Sequence, residues 1–177
     1  ELIGDILDST RLDHDGMELV HEEVDMTLLL AEIIRRLRYH LTETNVTVRV
    51  SPLPTLRCDP SAITKVFNNL LGNAVNYRDP TRGPYINVDA ALDGDAWVFR
   101  VEDNGIGIPA ADQAEVFKKF RRGSNTGGIN GTGLGLYIVR ELTRRHGGEV
   151  TFTSERGQGT TFLVRLPLSP LENPAPR

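Results

Sequence analysis

Three asparagines in the stretch NNLLGNAVNY, residues 68–77, have the spacing of a polar stripe along a helix. Asn69, Asn73 and Asn76 occupy positions i, i+4 and i+7 beside the apolar positions of the same segment, so they share one helix face. Asparagine disfavours helix interiors, and its repetition therefore calls for a function. Amide oxygens are hard ligands, suited to a Mg²⁺ ion that also contacts phosphates. For this segment taken by itself, the alternative is a solvated polar face.

A second candidate stretch, DNGIGIP at residues 103–109, begins with an acid where a strand pattern ends. Asp103 is followed by Gly105 and Gly107, and glycines allow a flat ring to approach the backbone closely. The carboxylate can accept a hydrogen bond from the amino group of adenine. Asp-Asn-Gly is also a common turn, so this motif alone is weak.

The third stretch, GTGLGLYIV at residues 131–139, places Gly131, Gly133 and Gly135 ahead of an apolar helical pattern. Its spacing differs from the dinucleotide fingerprint G-x-G-x-x-G, and it lacks the lysine of a P-loop. A glycine-rich turn at a helix N-terminus can still bind an anion through its free N–H groups. A flexible loop is the alternative for the stretch in isolation.

The composition limits the classes of function. The chain has 177 residues, 39% of them apolar, and a net charge of −4, which fits one globular domain with short flanks and argues against a nucleic-acid partner. Cys58 is the single cysteine, so a reduced, cytoplasmic setting is expected. The sequence contains no apolar run of the roughly 18 residues that a membrane span needs. It begins with Glu1 inside an apolar pattern, as expected of a piece of a longer protein.

Periodicity, caps and turn signals predict the elements that must position these residues. Their order favours an α/β fold, a two-layer sandwich in which a mixed sheet is covered on one face by three helices, over a doubly wound parallel sheet. The predicted helices cover residues 1–13, a segment capped by Asp25 or Thr27, residues 60–77, about 110–120 and about 134–146. The predicted strands cover residues 45–51, 55–58, 85–92, 96–102, 149–155 and 160–168.

Taken together and in this order, the motifs resemble those of sensor histidine kinases. NNLLGNAVNY, DNGIGIP, VFKKFRR, GTGLGLYIV and GGEVTFTSERGQGTTFLVRLP are similar to the N box, first glycine box, F box, second glycine box and final glycine motif. The resemblance is to the ATP-binding catalytic domain of the GHKL superfamily, which has the Bergerat fold. It divides the chain into the end of a dimerisation helix with its linker (1–23), the catalytic domain (24–168) with an ATP lid at about 109–130, and a disordered tail (169–177). NAVNYRDP also resembles phytochrome-type kinases.

The resemblance implies ATP and Mg²⁺ as cofactors and a role for each matching residue. Asn69 and Asn73 would hold Mg²⁺ and through it the phosphates, and Asp103 would read the adenine amino group. Asn69 and Arg122 would be the catalytic residues, Arg122 as a contact to the terminal phosphate. The other residues implied to bind the nucleotide are Asn76, Tyr77, Gly105, Gly107, Ile108, Gly131, Thr132, Gly133, Leu134, Gly135 and Thr160.

One departure from the family pattern concerns the phosphate site. The N box of the family usually carries a lysine where this chain has Asn76, and losing a cation from an anion site should weaken phosphate binding or transition-state stabilisation. Arg78 follows closely in sequence but lies about 200° around the helix from Asn76.

The histidines form the second departure, because none lies in the expected acceptor-helix context. His21 falls in the linker, His146 is interpreted as a charge at the C-terminal end of a helix, and His14 and His40 as surface residues. The chain by itself is therefore not expected to autophosphorylate.

The resemblance implies transfer of the γ-phosphate of ATP to a histidine on a dimerisation helix absent from this chain. Related ATPases hydrolyse ATP with a glutamate where this chain has Asn69, which cannot act as a base. The alternatives are an anti-sigma serine kinase, which the dimerisation-helix remnant disfavours, and a regulatory domain of a phosphatase-biased sensor, which Asn76 favours. The implied partners are the protein's own dimerisation and phosphotransfer domain, in a homodimeric parent, and a response regulator receiver domain; neither nucleic acid nor membrane contact is expected.

Overall fold

A computed structural model describes residue 10, residues 18–127 and residues 131–168 of the chain. Most of the predicted helix 1–13, His14 and the predicted tail 169–177 lie outside these residues. The helices are α1 (Met26–Glu43), α2 (Pro60–Asn76), α3 (Ala110–Gln113) and α4 (Gly135–Arg145). The strands are β1 (Glu22–Asp25), β2 (Thr47–Val50), β3 (Thr55–Cys58), β4 (Tyr85–Asp93), β5 (Ala96–Asp103), β6 (Glu149–Glu155) and β7 (Gly159–Pro167).

Five strands form a mixed sheet in the order β2-β4-β5-β7-β6. The β2–β4 pair is parallel and the other three pairs are antiparallel. The remaining two strands, β1 and β3, form a separate antiparallel ladder. The α/β fold with a mixed sheet and three long helices is confirmed.

The core lies between one face of the sheet and the helices. Val88, Phe99, Val101 and Val164 are all buried and fall on the same face in the strand register. The ring of Phe67 on α2 meets that of Phe99 edge-on, with 5.5 Å between centroids. The side chains between these positions on each strand point to the opposite, polar face.

Two aspartates cap the two longest helices, α1 and α2; Asp25 is one of the two predicted caps of α1, the other being Thr27. The carboxylate of Asp25 accepts a hydrogen bond from Leu28 N (3.0 Å) at the start of α1. The carboxylate of Asp59 accepts from Ser61 N and Ala62 N, both at 2.9 Å, at the start of α2. Because these caps are local interactions, sequence alone located both helix starts.

The predicted helix over about 110–120 is wrong beyond its first turn. α3 ends at Gln113, and the chain continues through tight turns with hydrogen bonds from Glu115 N to Asp112 O and from Lys118 N to Glu115 O. Phe117 packs its ring against Phe152 of β6, 5.7 Å between centroids. This contact with the sheet overrides the local helical pattern.

The interpretation of His146 as a charged residue at a helix end is also wrong. His146 does follow α4, but its side chain is only 3% exposed. Burial is the main cause that lowers its pKa below the ordinary value, so the imidazole is neutral at pH 7. His21 packs its ring edge-on against His146, 5.6 Å between centroids, whereas His40 is exposed as predicted.

Candidate nucleotide-binding site

Asp103 stands at the end of β5 in a partly buried position. Its carboxylate accepts a hydrogen bond from Gly105 N at 2.8 Å, and its backbone pairs with Thr160 of β7. Burial raises the pKa of Asp103 to about 6, while hydrogen bonds from the backbone of Gly105 and Thr160 act in the opposite direction. A fixed carboxylate with a raised pKa, at the end of the central strand of a sheet, is typical of a site that binds a ligand.

The two glycines after Asp103 are needed by the protein itself. A Cβ on Gly105 would overlap Tyr77 O, and one on Gly107, where φ is +64°, would overlap Glu155 O. Ile106 N donates to Tyr77 O at 2.9 Å. The loop is therefore pressed between the end of α2 and β6, and only glycine fits there.

A network of hydrogen bonds that the sequence did not reveal supports this loop. Ser154 Oγ lies 2.8 Å from Thr160 Oγ1 and accepts a hydrogen bond from Ile108 N at 2.8 Å. Gln113 Nε2 donates to Ile108 O (3.0 Å) and to Ser154 O (2.9 Å). Ser154 sits in an ordinary alternating strand pattern and Gln113 in a short helix, so neither gave a local signal.

The asparagine stripe faces the second glycine motif. Asn69 Nδ2 donates to Lys65 O at 2.9 Å, which turns Oδ1 towards the start of α4. There Oδ1 lies 2.6 Å from the position that a Cβ on Gly135 would take. Asn73 is half-buried and Asn76 is exposed, one and two turns further along α2.

Tyr77 joins the motifs to one another. It directly follows α2, its carbonyl oxygen holds the loop after Asp103, and its hydroxyl lies 3.4 Å from a Cβ placed on Gly131. The N box and both glycine motifs therefore meet around this one residue, through its backbone carbonyl and its hydroxyl. Sequence reasoning placed Tyr77 near adenine but gave no reason for this junction.

The glycine turn before α4 is closely covered by the preceding loop. Gly133 has φ +69°, and its Cβ would lie 2.8 Å from the carbonyl carbon of Phe120. The side chain of Leu134 is fully buried in the core, and its N–H donates a hydrogen bond to Thr132 Oγ1 at 3.2 Å. The first N–H groups of α4 have no acceptor within the helix itself, which is the usual property of a helix start.

The candidate phosphate contact Arg122 lies on the exposed part of the same loop. Its Nη2 donates to Thr126 O at 3.3 Å. Lys119 reaches α4 instead, with Nζ 4.7 Å from the centroid of the Tyr137 ring, and this contact ties the F-box segment to the helix.

A groove of about 680 Å³ lies between α1 and the edge strand β2. Its lining includes Ile34, Arg38, Val48 and Val50, and the residues predicted to bind nucleotide lie elsewhere in the fold. Within the described residues, His, Cys, Asp and Glu side chains form no group of three that could hold a metal ion. No helix in the same part of the chain is long and apolar enough to cross a membrane.

The fold and the arrangement of the motifs are those of an ATPase domain of the histidine kinase type. Residues 58–170 match the model of the family described as histidine kinase-, DNA gyrase B-, and HSP90-like ATPase. The chain belongs to this family.

Curated relatives of the chain are sensor kinases. The chain is 32% identical to the sensor protein kinase WalK of Staphylococcus saprophyticus over 97% of its own length. It is 32% identical to cyanobacterial phytochrome A of Nostoc over 94% and 33% identical to the circadian input-output histidine kinase CikA of Synechococcus elongatus over 98%. It spans 29%, 21% and 24% of these three proteins, respectively.

Solved structures of histidine kinases have the same fold. Full-length ShkA in complex with AMPPNP superposes with a TM-score of 0.80 at 30% identity, over 98% of this chain and 36% of that one. The mycobacterial sensor histidine kinase MprB gives 0.72 at 28% identity, over 85% of this chain and 100% of that one.

Proposed function

We propose that the chain is the catalytic domain of a two-component sensor histidine kinase, which binds Mg-ATP and passes the γ-phosphate to a histidine on a dimerisation helix. The single observation that carries this proposal is the position of Tyr77. Through its carbonyl and its hydroxyl it brings the loop after Asp103 and the turn at Gly131 to the end of the asparagine helix. An adenine acceptor, an anion-binding turn and amide oxygens thus border one region.

The residues at the asparagine stripe fit a magnesium ion. Because Nδ2 of Asn69 is held by Lys65 O, the oxygen faces Gly135, where a Cβ would lie only 2.6 Å from it, so glycine is needed there to leave the amide oxygen in this position. Asn69 and Asn73 would hold the ion by their amide oxygens, the hard ligands that Mg²⁺ prefers. When bound, the ion would neutralise phosphate charge during transfer.

The rest of the proposed site follows the two loops. Asp103 would accept from the adenine amino group, with Gly105, Gly107, Ile108 and Thr160 framing the base. The N–H groups at the start of α4 would bind the phosphates. The segment 109–130 would act as the lid, and Thr132, Gly133 and the backbone of Leu134 would line the turn.

Phosphotransfer suits the site better than hydrolysis. An asparagine at position 69 cannot take a proton from water, so the N box supplies no general base for hydrolysis. We place the acid–base group for the transfer on the protein's own dimerisation domain, in a cytoplasmic homodimer that serves a receiver domain.

A second candidate function is the regulatory domain of a phosphatase-biased sensor. Asn76 is exposed where the family has a lysine, and the nearby Arg78 turns back to donate to Val75 O at 3.0 Å. A domain of this kind would hold nucleotide but would transfer phosphate slowly.

Calorimetry with Mg-ATP tests the binding site. Asp103→Asn keeps the shape of the side chain but replaces one acceptor oxygen by a donor, so affinity should fall about 10- to 100-fold, the range of a hydrogen bond to a charged group. Glu102→Gln is the matched control, because it lies on the same strand with its side chain on the opposite, polar face. Equal affinities of the two variants would refute the role of Asp103.

A phosphorylation assay on the natural protein that includes the dimerisation domain tests the transfer. Acid-labile label from γ-labelled ATP is expected on a histidine of that domain, followed by transfer to a receiver domain. The 177-residue chain alone should remain unlabelled. Label on His21 would contradict its assignment to the linker, and nucleotide binding with only phosphatase activity would favour the second candidate.

A further inference from the structure

The residues just before α2 and just after α4 meet in a buried cluster, formed by Asp59 and His146. Asp59 N donates to His146 Nε2 at 3.1 Å, and His146 Nδ1 lies 2.7 Å from Leu142 O. Both residues are among the few buried polar ones in the described chain, at 7% and 3% exposure.

These contacts fix the protonation state of His146 by geometry. Leu142 O can only accept, so Nδ1 carries the proton. Asp59 N can only donate, so Nε2 must be unprotonated. A second proton on the ring would set two N–H groups against each other in a buried place, where unpaired donors are costly.

The same cluster holds the linker segment 18–25. Asp59 uses one carboxylate oxygen for the cap of α2, while the other accepts from Val20 N at 2.9 Å. His21 lies against the His146 ring, and β1 pairs with β3 from Glu22↔Cys58 onwards. Asp59 is therefore in contact with the linker, α2 and the end of α4 at once.

The cluster also sets how α4 lies along α2. Residue 59 is 10 positions before Asn69, and residue 146 is 11 positions after Gly135. At 1.5 Å per residue both separations are about 15 Å, as expected for two packed antiparallel helices. The Asp59–His146 hydrogen bond at one end and the Asn69–Gly135 approach at the other are thus two points of one register.

We infer that His146 is a positioning residue that couples the docking of linker residues 18–25 to the nucleotide site, by fixing the register of α4 on α2. The inference rests on the proposed function for the identity of the ligand. The linker part of the inference stands without it.

The groups that face His146 make the contact sensitive to acid. His21 faces it from the linker and Asp59 from the start of α2, while Arg144 and Arg145 lie in the last turn of its own helix. The neighbouring Cys58 stays a neutral thiol, because burial raises its pKa to about 12. As the pH falls, protonation of His146 breaks the hydrogen bond from Asp59 N and weakens the docking of the linker, which Val20 N and the β1–β3 pairing still hold in part.

Two substitutions of His146 separate this role from a general loss of packing. His146→Leu keeps the bulk but removes the acceptor, whereas His146→Gln supplies an acceptor oxygen that does not titrate. Val139→Ala, in the fully buried face of α4, is the control for a comparable loss of thermal stability. The measurements are the Kd for Mg-ATP and the hydrogen-exchange protection of amides 20–25, corrected for intrinsic rates.

At pH 7.5, His146→Leu is expected to lower linker protection about fivefold and to raise the Kd about three- to tenfold, the usual size of such couplings. His146→Gln should stay within twofold of the parent in both. Between pH 7.5 and 5.5 linker protection should fall in the parent but not in His146→Gln. Linker protection is the readout here because Asp103, with its pKa of about 6, would by itself change ATP affinity.

Three results would overturn the inference. The first is a loss of ATP affinity in Val139→Ala equal to that in His146→Leu at matched melting temperature. The second is unchanged linker protection in a folded His146→Leu. The third needs no variant: nitrogen shifts of the parent that show a proton on Nε2 of His146 at pH 7.5. Failure of the parent to bind Mg-ATP would instead count against the proposed function.

Discussion

Replacing Asn76 by lysine is expected to tighten binding of ATP more than binding of ADP. Asn76 is the last residue of α2, about 4.5 Å along the helix axis beyond Asn73. An ammonium on a side chain of about 6 Å would therefore reach the phosphates that, in the proposed site, Asn73 would hold through Mg²⁺. The C-terminal end of a helix also favours a cation, by about 0.3–1 kcal/mol, so the variant should fold at least as well as the parent.

The size of the change in the affinity ratio depends on how exposed the side chain at position 76 is. A unit charge at 4 Å from another contributes about 1 kcal/mol in water and about 4 kcal/mol at a protein surface of lower effective dielectric. Because the side chain at position 76 is exposed, the lower figure applies. The additional charge of ATP over ADP should then change the ratio of their affinities about fivefold.

Calorimetric titrations of ATP and ADP at fixed magnesium measure this ratio. Asn76→Met is the control, since it adds length without charge. In 1 M salt, where the screening length is about 3 Å, the difference between lysine and methionine should largely disappear. An affinity ratio that lysine leaves unchanged at low salt would refute the reasoning and leave Asn76 as a residue that solvates the helix end.

Two further predictions concern Asp103 and Gly135. The folded-state pKa of Asp103, about 6, lies above its unfolded value, so stability falls as the pH rises from about 4 to about 6, and the full cost of the ionised carboxylate is present above pH 6. Asp103→Asn should accordingly raise the free energy of unfolding by up to about 3 kcal/mol at pH 8 and by little at pH 4. Urea titrations can test this, and a loss of stability at pH 8 would contradict the burial argument. Gly135→Ala should abolish Mg-ATP binding in calorimetry because its Cβ would lie 2.6 Å from Asn69 Oδ1. The control is Gly72→Ala on α2, where a Cβ meets no atom within 4 Å. This variant should bind Mg-ATP normally and gain about 0.5–1 kcal/mol of stability. Normal binding by Gly135→Ala would argue against the placement of the magnesium site.

Local signals predicted the helical layer well. Asp25 and Asp59 cap α1 and α2 through contacts within three residues, and such contacts can be recognised from neighbouring letters in the sequence. The strands β2 to β7 likewise overlap the predicted strand segments, whereas β1 (Glu22–Asp25) was not among them. The strand order, with β2 parallel to β4 at one edge, depends on pairing between distant segments and could be predicted only as a mixed sheet.

The errors arose where distant parts of the chain meet. The predicted helix over 110–120 stops early because Phe117 packs against Phe152 of β6, a contact with a distant segment. The local sequence around His146 predicts a surface charge, but in the fold His21 of the linker packs against its ring. Ser154 and Gln113 support the loop after Asp103 through contacts across more than 40 positions, and no local pattern predicts such contacts.

The short ladder of β1 and β3 has a mechanical consequence for the domain. β1 passes directly into α1, and β3 passes through Asp59 alone into α2, so neither connection contains slack. A force applied to the chain at β1 would therefore rotate the helices together with the ladder rather than extend a loop between them. Among the described residues, segment 18–21 directly precedes this ladder, and Val20 N ties it to Asp59 of the domain. Motion that arrives along the chain while residues 18–25 stay docked would thus reorient the nucleotide site as a unit.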